Sequence, residues 1–113
     1  MKLRKMYWAK YHVKHLKKWR EYAEKIAKAA KDIVPEAKVY VIGGAAEKRL
    51  TVLSDIDILI VVPKKSMRKN LRVNILEKAI NTYQLPWDAP VEIHIVEEKG
   101  NSMYKGKKIP ILE

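Results

Sequence analysis

Two aspartates separated by one residue are the feature of this sequence that most directly indicates chemistry. Asp55 and Asp57 occur where an apolar run, Ile56–Val62, begins. Residues i and i+2 of a β-strand project to one face, so the two carboxylates would lie close together. Such a pair repels itself unless a cation neutralises it, and oxygen ligands suit Mg²⁺ or Mn²⁺. The alternative is a pair of polar residues at the mouth of a strand.

A glycine pair precedes these aspartates at a fixed distance. Gly43 and Gly44 follow the strand-like stretch Val39–Ile42, and ten residues (45–54) separate them from Asp55. Glycine directly after a strand lets the backbone approach an anion and directs N–H groups toward it. A glycine pair alone is typical of an ordinary turn. The combination with Ser54-Asp55-Ile56-Asp57 is rarer and favours a phosphate loop beside a metal site.

The elements that must position these residues are two helices and several short strands. Apolar residues at helical spacing predict helices over roughly 9–33 and 67–83, the second capped by Ser66. Strands are expected at Val39–Ile42, Ile56–Val62, Val91–Val96 and Ile109–Leu112. The helical stripes consist of Leu16, Trp19, Ala23, Ile26, Ala30 and Ile33, and of Leu71, Ile75, Leu76, Ala79, Ile80 and Tyr83. This order predicts an α+β fold, a small mixed sheet with helices on one face and the carboxylates on the other.

The third strand carries two polar side chains on the face opposite its apolar residues. Glu92 and His94 alternate with Val91, Ile93 and Ile95. Glu92 is a candidate third carboxylate, with a solvated acid on an edge strand as the alternative. His94 is able to donate to a phosphate or assist proton transfer, with a polar filler of the open sheet face as the alternative.

Length and composition limit the classes of protein that this chain can represent. The 113 residues include no cysteine, which excludes disulfides and cysteine-based zinc sites. This length predicts one domain over residues 1–113. No apolar stretch approaches the ~20 residues of a membrane span, and the first residues lack the apolar run of a signal peptide. We therefore expect a cytoplasmic protein without a membrane partner.

Positive charge is concentrated at the N-terminus. The formal net charge is +11. Residues 1–31 hold eleven Lys/Arg and two Glu, a balance of +9, whereas residues 32–113 hold thirteen Lys/Arg and eleven Asp/Glu. A basic helix of this kind attracts nucleic acid, anionic lipid or an acidic protein. A lysine-rich, solvated helix face is the alternative.

The glycine and aspartate pattern resembles the polymerase-beta-type nucleotidyltransferase superfamily, and in particular its minimal nucleotidyltransferases. The motif of that family is an apolar residue, Gly, then Gly or Ser, a spacer of roughly ten residues, and Asp-apolar-Asp. Here these positions are Ile42-Gly43-Gly44 and Asp55-Ile56-Asp57. The resemblance covers about residues 38–96 by motif. Where many relatives have Ser and Arg-Gly, this chain has Gly44 and Glu47-Lys48.

This resemblance implies a fold, an activity and a set of site residues. The fold is the palm-like fold of polymerase beta. The activity is transfer of a nucleoside monophosphate from an NTP, such as ATP, to an acceptor hydroxyl with Mg²⁺ or Mn²⁺. By the same resemblance Asp55, Asp57 and Glu92 are the catalytic metal ligands, and Gly43, Gly44 and Ser54 bind the nucleotide.

Minimal members of the superfamily take their acceptor from a partner. The resemblance therefore implies a HEPN-type protein partner in an arrangement like a toxin–antitoxin pair. Nucleic acid bound by the basic N-terminal helix and a homo-oligomer are further expected partners. The competing hypothesis is a non-catalytic partner- or nucleic-acid-binding module that keeps the nucleotidyltransferase fold.

Overall fold

The computed structural model describes residues 18–46, 55–101 and 106–112. Within these ranges a four-stranded sheet carries two longer helices, α1 and α3. The helices are α1 (Trp19–Ile33), α2 (Gly43–Ala46), α3 (Leu71–Tyr83) and α4 (Glu98–Asn101), with a 3-10 helix at Lys64–Ser66. The strands are β1 (Lys38–Ile42), β2 (Ile56–Val62), β3 (Val91–Glu97) and β4 (Ile109–Ile111). The predicted α+β class and small mixed sheet are confirmed.

The strand order β3-β2-β1-β4 brings three strand ends together at one edge. β1 is antiparallel to β2, whereas β2 and β3 are parallel and are joined through α3. The carboxyl end of β1 therefore lies beside the amino ends of β2 and β3. At this end of the sheet, Ile42 of β1 is paired with Asp57 of β2, and Asp57 is paired with Glu92 of β3.

The main hydrophobic core lies between the sheet and the two longer helices. Directly paired residues of neighbouring strands share a face, so Val41, Ile58 and Ile93 form one buried row. Ile26 of α1 and Ile75 of α3 are fully buried against this side of the sheet. The helices on one face are thus confirmed within the described residues.

The helical stripes are confirmed with one difference in α1. Every stripe member of α3 is buried or packs against the core. In α1, Trp19 and Ile33 are only partly buried, while Tyr22, Ala27 and Ala29 are buried in addition to the predicted positions. The buried face is wider than the stripe because α1 packs against α3 as well as against the sheet. Residues 1–17, which include Leu16 and most of the basic segment, lie outside the described residues.

The start of α3 differs from the prediction. α3 begins at Leu71, because Pro63–Ser66 closes a 3-10 turn in which the Ser66 N–H donates to the Pro63 carbonyl at 2.9 Å. Ser66 is therefore not the N-cap of α3. The carboxyl end of α3 is held by α1: Lys25 Nζ donates to the Tyr83 carbonyl at 2.7 Å, and the Tyr83 hydroxyl donates to Asp32. That hydrogen bond to Asp32 raises the pKa of Tyr83 above 10.0.

The face of the sheet opposite the helices is less open than predicted. Ile42, Leu59 and Val61 are buried there in a second apolar cluster, together with Tyr40 and Val96. At the end where the three strand ends meet, this face carries Asp57, Glu92 and His94, and at the opposite end of β1 it carries the exposed Lys38. None of the helices in the described ranges is long and apolar enough to span a membrane.

Candidate active site

Three side chains with metal-ligating chemistry converge at the edge where the strand ends meet. Asp57 lies on β2, and Glu92 and His94 lie on β3. One ligand atom from each lies within 4.8 Å of the other two. The parallel register explains this, because it pairs Asp57 with Glu92 and places His94 diagonally across from Asp57, on the same face. The arrangement offers two carboxylate oxygens and one imidazole nitrogen to a shared ligand.

His94 and Asp57 are in direct contact. The distance between His94 Nε2 and Asp57 Oδ1 is 3.4 Å, and their side chains are 42% and 30% exposed. This is a long hydrogen-bond contact, and the tautomer of the imidazole decides which atom donates. Both groups remain accessible to a ligand that arrives from solvent. The site is therefore partly shielded by the sheet but open on one side.

Gly43 makes close backbone packing against Asp57 possible. It begins α2 directly after β1 and has φ of +67°, in the left-handed region that side chains disfavour. A Cβ atom at this position would lie 2.6 Å from Asp57 Oδ2, which is too close for any real contact. The first glycine of the motif is thus required both by its backbone conformation and by the carboxylate beside it. Gly44 follows within the same helical turn and is half-buried.

Asp55 is placed differently from Asp57. It is exposed, precedes β2, and is not part of the group formed by Asp57, Glu92 and His94. The backbone beside it is held by the Ile56 N–H, which donates to the Pro90 carbonyl at 2.7 Å and fastens the start of β2 to the start of β3. The group found among the described residues spans two strands, β2 and β3. The close pair of Asp55 and Asp57 and a ligand role for Asp55 stay predictions, and Ser54 lies outside the described residues.

A polar cavity of about 440 Å³ lies along β3 next to this group. His94 lines it together with three exposed cationic residues from the start of α3 and the preceding loop: Arg68, Lys69 and Arg72. A second cavity of about 320 Å³ lies between α3 and β3 and includes Glu92 in its lining. Residues of β3, an edge strand of the sheet, line both cavities.

His94 is the residue whose proximity to Asp57 the sequence did not predict. Its place on the same strand face as Glu92 followed from the alternation of β3. The sequence pattern gave no signal for the register between β2 and β3, which decides the distance between His94 and Asp57.

Comparisons with known proteins agree with this geometry. A family model described as the nucleotidyltransferase domain matches residues 23–111. The chain is similar to a crystal structure of a candidate nucleotidyltransferase from Sulfolobus solfataricus, with a TM-score of 0.61 and 22% identity over 88% of this chain and 84% of that one. It is also similar to a second candidate nucleotidyltransferase, with a TM-score of 0.55 and 28% identity over 76% of this chain and 92% of the other. No curated protein matches the sequence.

Proposed function

Because the chain belongs to the nucleotidyltransferase domain family, we propose that it moves a nucleoside monophosphate from an NTP to an acceptor hydroxyl with the help of a divalent cation. The observation that carries this proposal is the convergence of Asp57, Glu92 and His94 beside Gly43. It places a group able to hold a cation next to backbone that can approach a phosphate closely.

The donor set fits a divalent cation. Asp57 Oδ1 and His94 Nε2 lie 3.4 Å apart. Two ligands at right angles on one ion with bonds of 2.0–2.1 Å are about 3 Å apart, so only a small movement is needed. Asp57 and Glu92 supply two formal negative charges, which a dication would neutralise. When bound, such a cation stabilises the charge that develops on transferring phosphate oxygens.

We assign the remaining roles as the family resemblance implies them. The acceptor oxygen attacks the α-phosphorus, forming a new O–P bond while the bond from the α-phosphorus to the bridging oxygen breaks and pyrophosphate leaves. The hydroxyl proton is released to water at the exposed side of the site, where Glu92 lies. Gly43 and Gly44 offer the pyrophosphate a close backbone approach at the start of α2. Asp55 and Ser54 are proposed to contribute from the β2 side, as the resemblance implies.

We place the pyrophosphate and the acceptor on opposite sides of the site. Attacking and leaving oxygens lie roughly in line in phosphoryl transfer. With the pyrophosphate at Gly43 on the β1 side, the acceptor approaches from the β3 side. The polar cavity lined by Arg68, Lys69, Arg72 and His94 lies along β3. An acceptor on a separate partner would reach the site there, and a HEPN-type partner is the one that the family resemblance supports.

A second candidate function is binding without turnover. Arg68, Lys69 and Arg72 are exposed, and Trp87, in the loop before β3, is 83% exposed. Cationic side chains and an exposed indole ring are both typical of proteins that bind single-stranded nucleic acid. Here the cationic side chains lie at the start of α3, and Trp87 follows its end. Such binding would weaken steeply with salt and would not require a divalent cation.

Binding of a non-hydrolysable nucleotide tests the proposed function first. We expect α,β-methylene-ATP to bind the full chain only when Mg²⁺ or Mn²⁺ is present, measured by isothermal titration calorimetry. Asp57→Asn should abolish this binding. Glu77→Gln, which removes an exposed carboxylate on α3, should leave it unchanged. Cation-independent binding that survives Asp57→Asn would contradict the proposal.

Covalent transfer is the second test. With ATP labelled at the α-phosphate, we expect label to become attached to a co-purified partner, with release of pyrophosphate, and the label to be absent with Asp57→Asn. Cation-dependent nucleotide binding without transfer, together with salt-sensitive binding of a single-stranded oligonucleotide, would favour the non-catalytic binding module instead.

A further inference from the structure

The imidazole of His94 adds a nitrogen donor to a group that the family resemblance describes by carboxylates alone. The imidazole Nε2 lies 3.4 Å from Asp57 Oδ1, and His94 is on the same strand as Glu92. All three donors belong to rigid sheet positions whose backbone is fixed by strand pairing. Loop movement is therefore not needed to bring them together.

We propose that His94 is a direct ligand of the cation, so that the site prefers Mn²⁺ to Mg²⁺. This inference rests on the proposed function, because it concerns the same site. The preference follows from the donor atoms. Mg²⁺ binds oxygen ligands, keeps several waters and demands near-octahedral geometry. A first-row transition metal accepts an imidazole nitrogen more readily than Mg²⁺ does, and among these metals Mn²⁺ is the one that also suits carboxylate oxygens.

The surroundings of His94 favour a ligand role over a purely structural one. An imidazole that served only to orient Asp57 would be expected to hold a well-formed hydrogen bond, about 2.9 Å long. The contact here is longer, and the His94 side chain is 42% exposed. If the side chain at position 94 only covered the sheet, an aliphatic residue would serve equally well, as Leu59 does at the directly paired position of β2. The side chain thus faces the group of donors while retaining access to solvent.

The charges around His94 also set what the site tolerates. On its own strand Glu92 is two residues away, and from β2 Asp57 is in contact. From the loop before α3 and the start of α3, Arg68 and Arg72 line the same cavity. The positive charges of these arginine side chains repel a divalent metal ion. A metal ion at this site therefore needs direct ligands and is not held by charge attraction alone.

Metal titrations of the full chain test this assignment without reference to activity. We expect isothermal titration calorimetry to give tighter binding of Mn²⁺ than of Mg²⁺ to the wild type. His94→Gln, which keeps a polar side chain but removes the imidazole, should weaken Mn²⁺ binding by about tenfold or more, since even indirect partners of metal ligands cost that much. Binding of Mg²⁺ should change much less. Equal losses for the two metals would overturn the proposal.

Pulsed electron paramagnetic resonance gives a second and direct readout. Mn²⁺ bound to the wild type should show coupling to a ¹⁴N nucleus, and His94→Gln should remove that coupling. Because His12 and His15 also occur in the chain, the double variant His12→Gln/His15→Gln is the matched control and should retain the coupling. Absence of ¹⁴N coupling in the wild type would show that His94 only contacts Asp57.

The two proposals fail in different ways. If transfer of the α-phosphate label proceeds but no ¹⁴N coupling is seen, the nucleotidyl transfer stands and the ligand role of His94 is wrong. If the coupling is present but no nucleotide binds in the presence of Mn²⁺, the metal assignment stands and the proposed function is wrong.

Discussion

Replacing Gly43 by alanine tests the link between the glycine motif and the carboxylate it packs against. The added Cβ would lie 2.6 Å from Asp57 Oδ2, so either the carboxylate or the start of α2 must move. Because Asp57 Oδ1 is the atom in contact with His94, displacement of this carboxylate also separates the donors of the proposed cation site. We therefore expect both stability and cation binding to fall.

The size of the stability effect can be divided into two contributions. Placing a residue with a Cβ at φ of +67° costs about 1–2 kcal/mol. Crowding against the carboxylate is relieved by rotating the Asp57 side chain, which is 30% exposed, and adds about 0.5–1.5 kcal/mol, the cost of an off-rotamer side chain. The total of about 1.5–3.5 kcal/mol is a large share of the free energy of unfolding of a small domain, typically about 5–15 kcal/mol.

A double-mutant cycle with Asp57→Ala separates the two contributions. With the carboxylate gone, Gly43→Ala should cost only the backbone contribution of about 1–2 kcal/mol, leaving a coupling energy of about 0.5–1.5 kcal/mol. Urea unfolding followed by circular dichroism gives each free energy of unfolding. Gly44→Ala is the control: Gly44 lies in the same helical turn without a positive φ, so we expect this change to be neutral or slightly stabilising.

The result that would refute this reasoning is an equal cost of Gly43→Ala in the two backgrounds. The carboxylate would then not be in contact with Gly43 in solution. Unchanged Mn²⁺ binding by Gly43→Ala would separately contradict the claim that this glycine positions the cation site.

Four further substitutions test other parts of the structure. Asp57→Asn should leave the melting temperature of the cation-free protein unchanged or slightly higher by relieving repulsion with Glu92; a clear decrease in calorimetry would show that Asp57 is structural. Gly44→Val should lower the affinity for the metal–ATP complex, measured by titration, more than it lowers the stability of the fold, because a branched side chain fills space that phosphate oxygens need. Undiminished affinity would mean that the glycine pair is a simple turn. Trp19→Ala should lower the free energy of unfolding by about 2 kcal/mol, because Trp19 is only partly buried and a fully buried tryptophan would cost about 3–5 kcal/mol. If urea unfolding gave a decrease of about 3–5 kcal/mol, Trp19 would be fully buried in solution. The wild type should have a larger free energy of unfolding than Tyr83→Phe, and this difference should be constant below about pH 10 and decrease above it. The reason is that the hydrogen bond to Asp32 raises the pKa of the Tyr83 hydroxyl in the folded state, and ionisation of the hydroxyl breaks that bond. A difference that persists at high pH would exclude the hydrogen bond as its cause.

Local patterns were sufficient to predict most of the elements. β2 was predicted at Ile56–Val62 and has those bounds, because a β-branched run closed by proline has few other conformations. The stripe of α3 was confirmed because spacing of three and four residues places side chains on one helix face regardless of the rest of the chain. The position of the glycines directly after β1 was likewise evident from the short strand that precedes them.

Where two local signals competed, the sequence was less informative. Ser66 is a good N-cap residue. However, Pro63 precedes a 3-10 turn that ends at Ser66, and α3 begins five residues after Ser66, at Leu71. The apolar residues of the second sheet face were not predicted to form their own cluster, since Ile42, Leu59 and Val61 belong to strands that read as apolar on both sides. Alternation identifies a polar face only where polar residues are present, as on β3.

The sequence by itself determined which residues are available for chemistry: the glycine pair, the aspartates and the polar side of β3. Only the tertiary structure decided which of them meet. The parallel register that pairs Asp57 with Glu92 brings His94 to Asp57. A shift by one residue would turn Glu92 and His94 to the opposite face. That register depends on the packing of α3 against the sheet and on the buried row of Val41, Ile58 and Ile93. These residues are far apart in sequence, so no local spacing encodes their contacts.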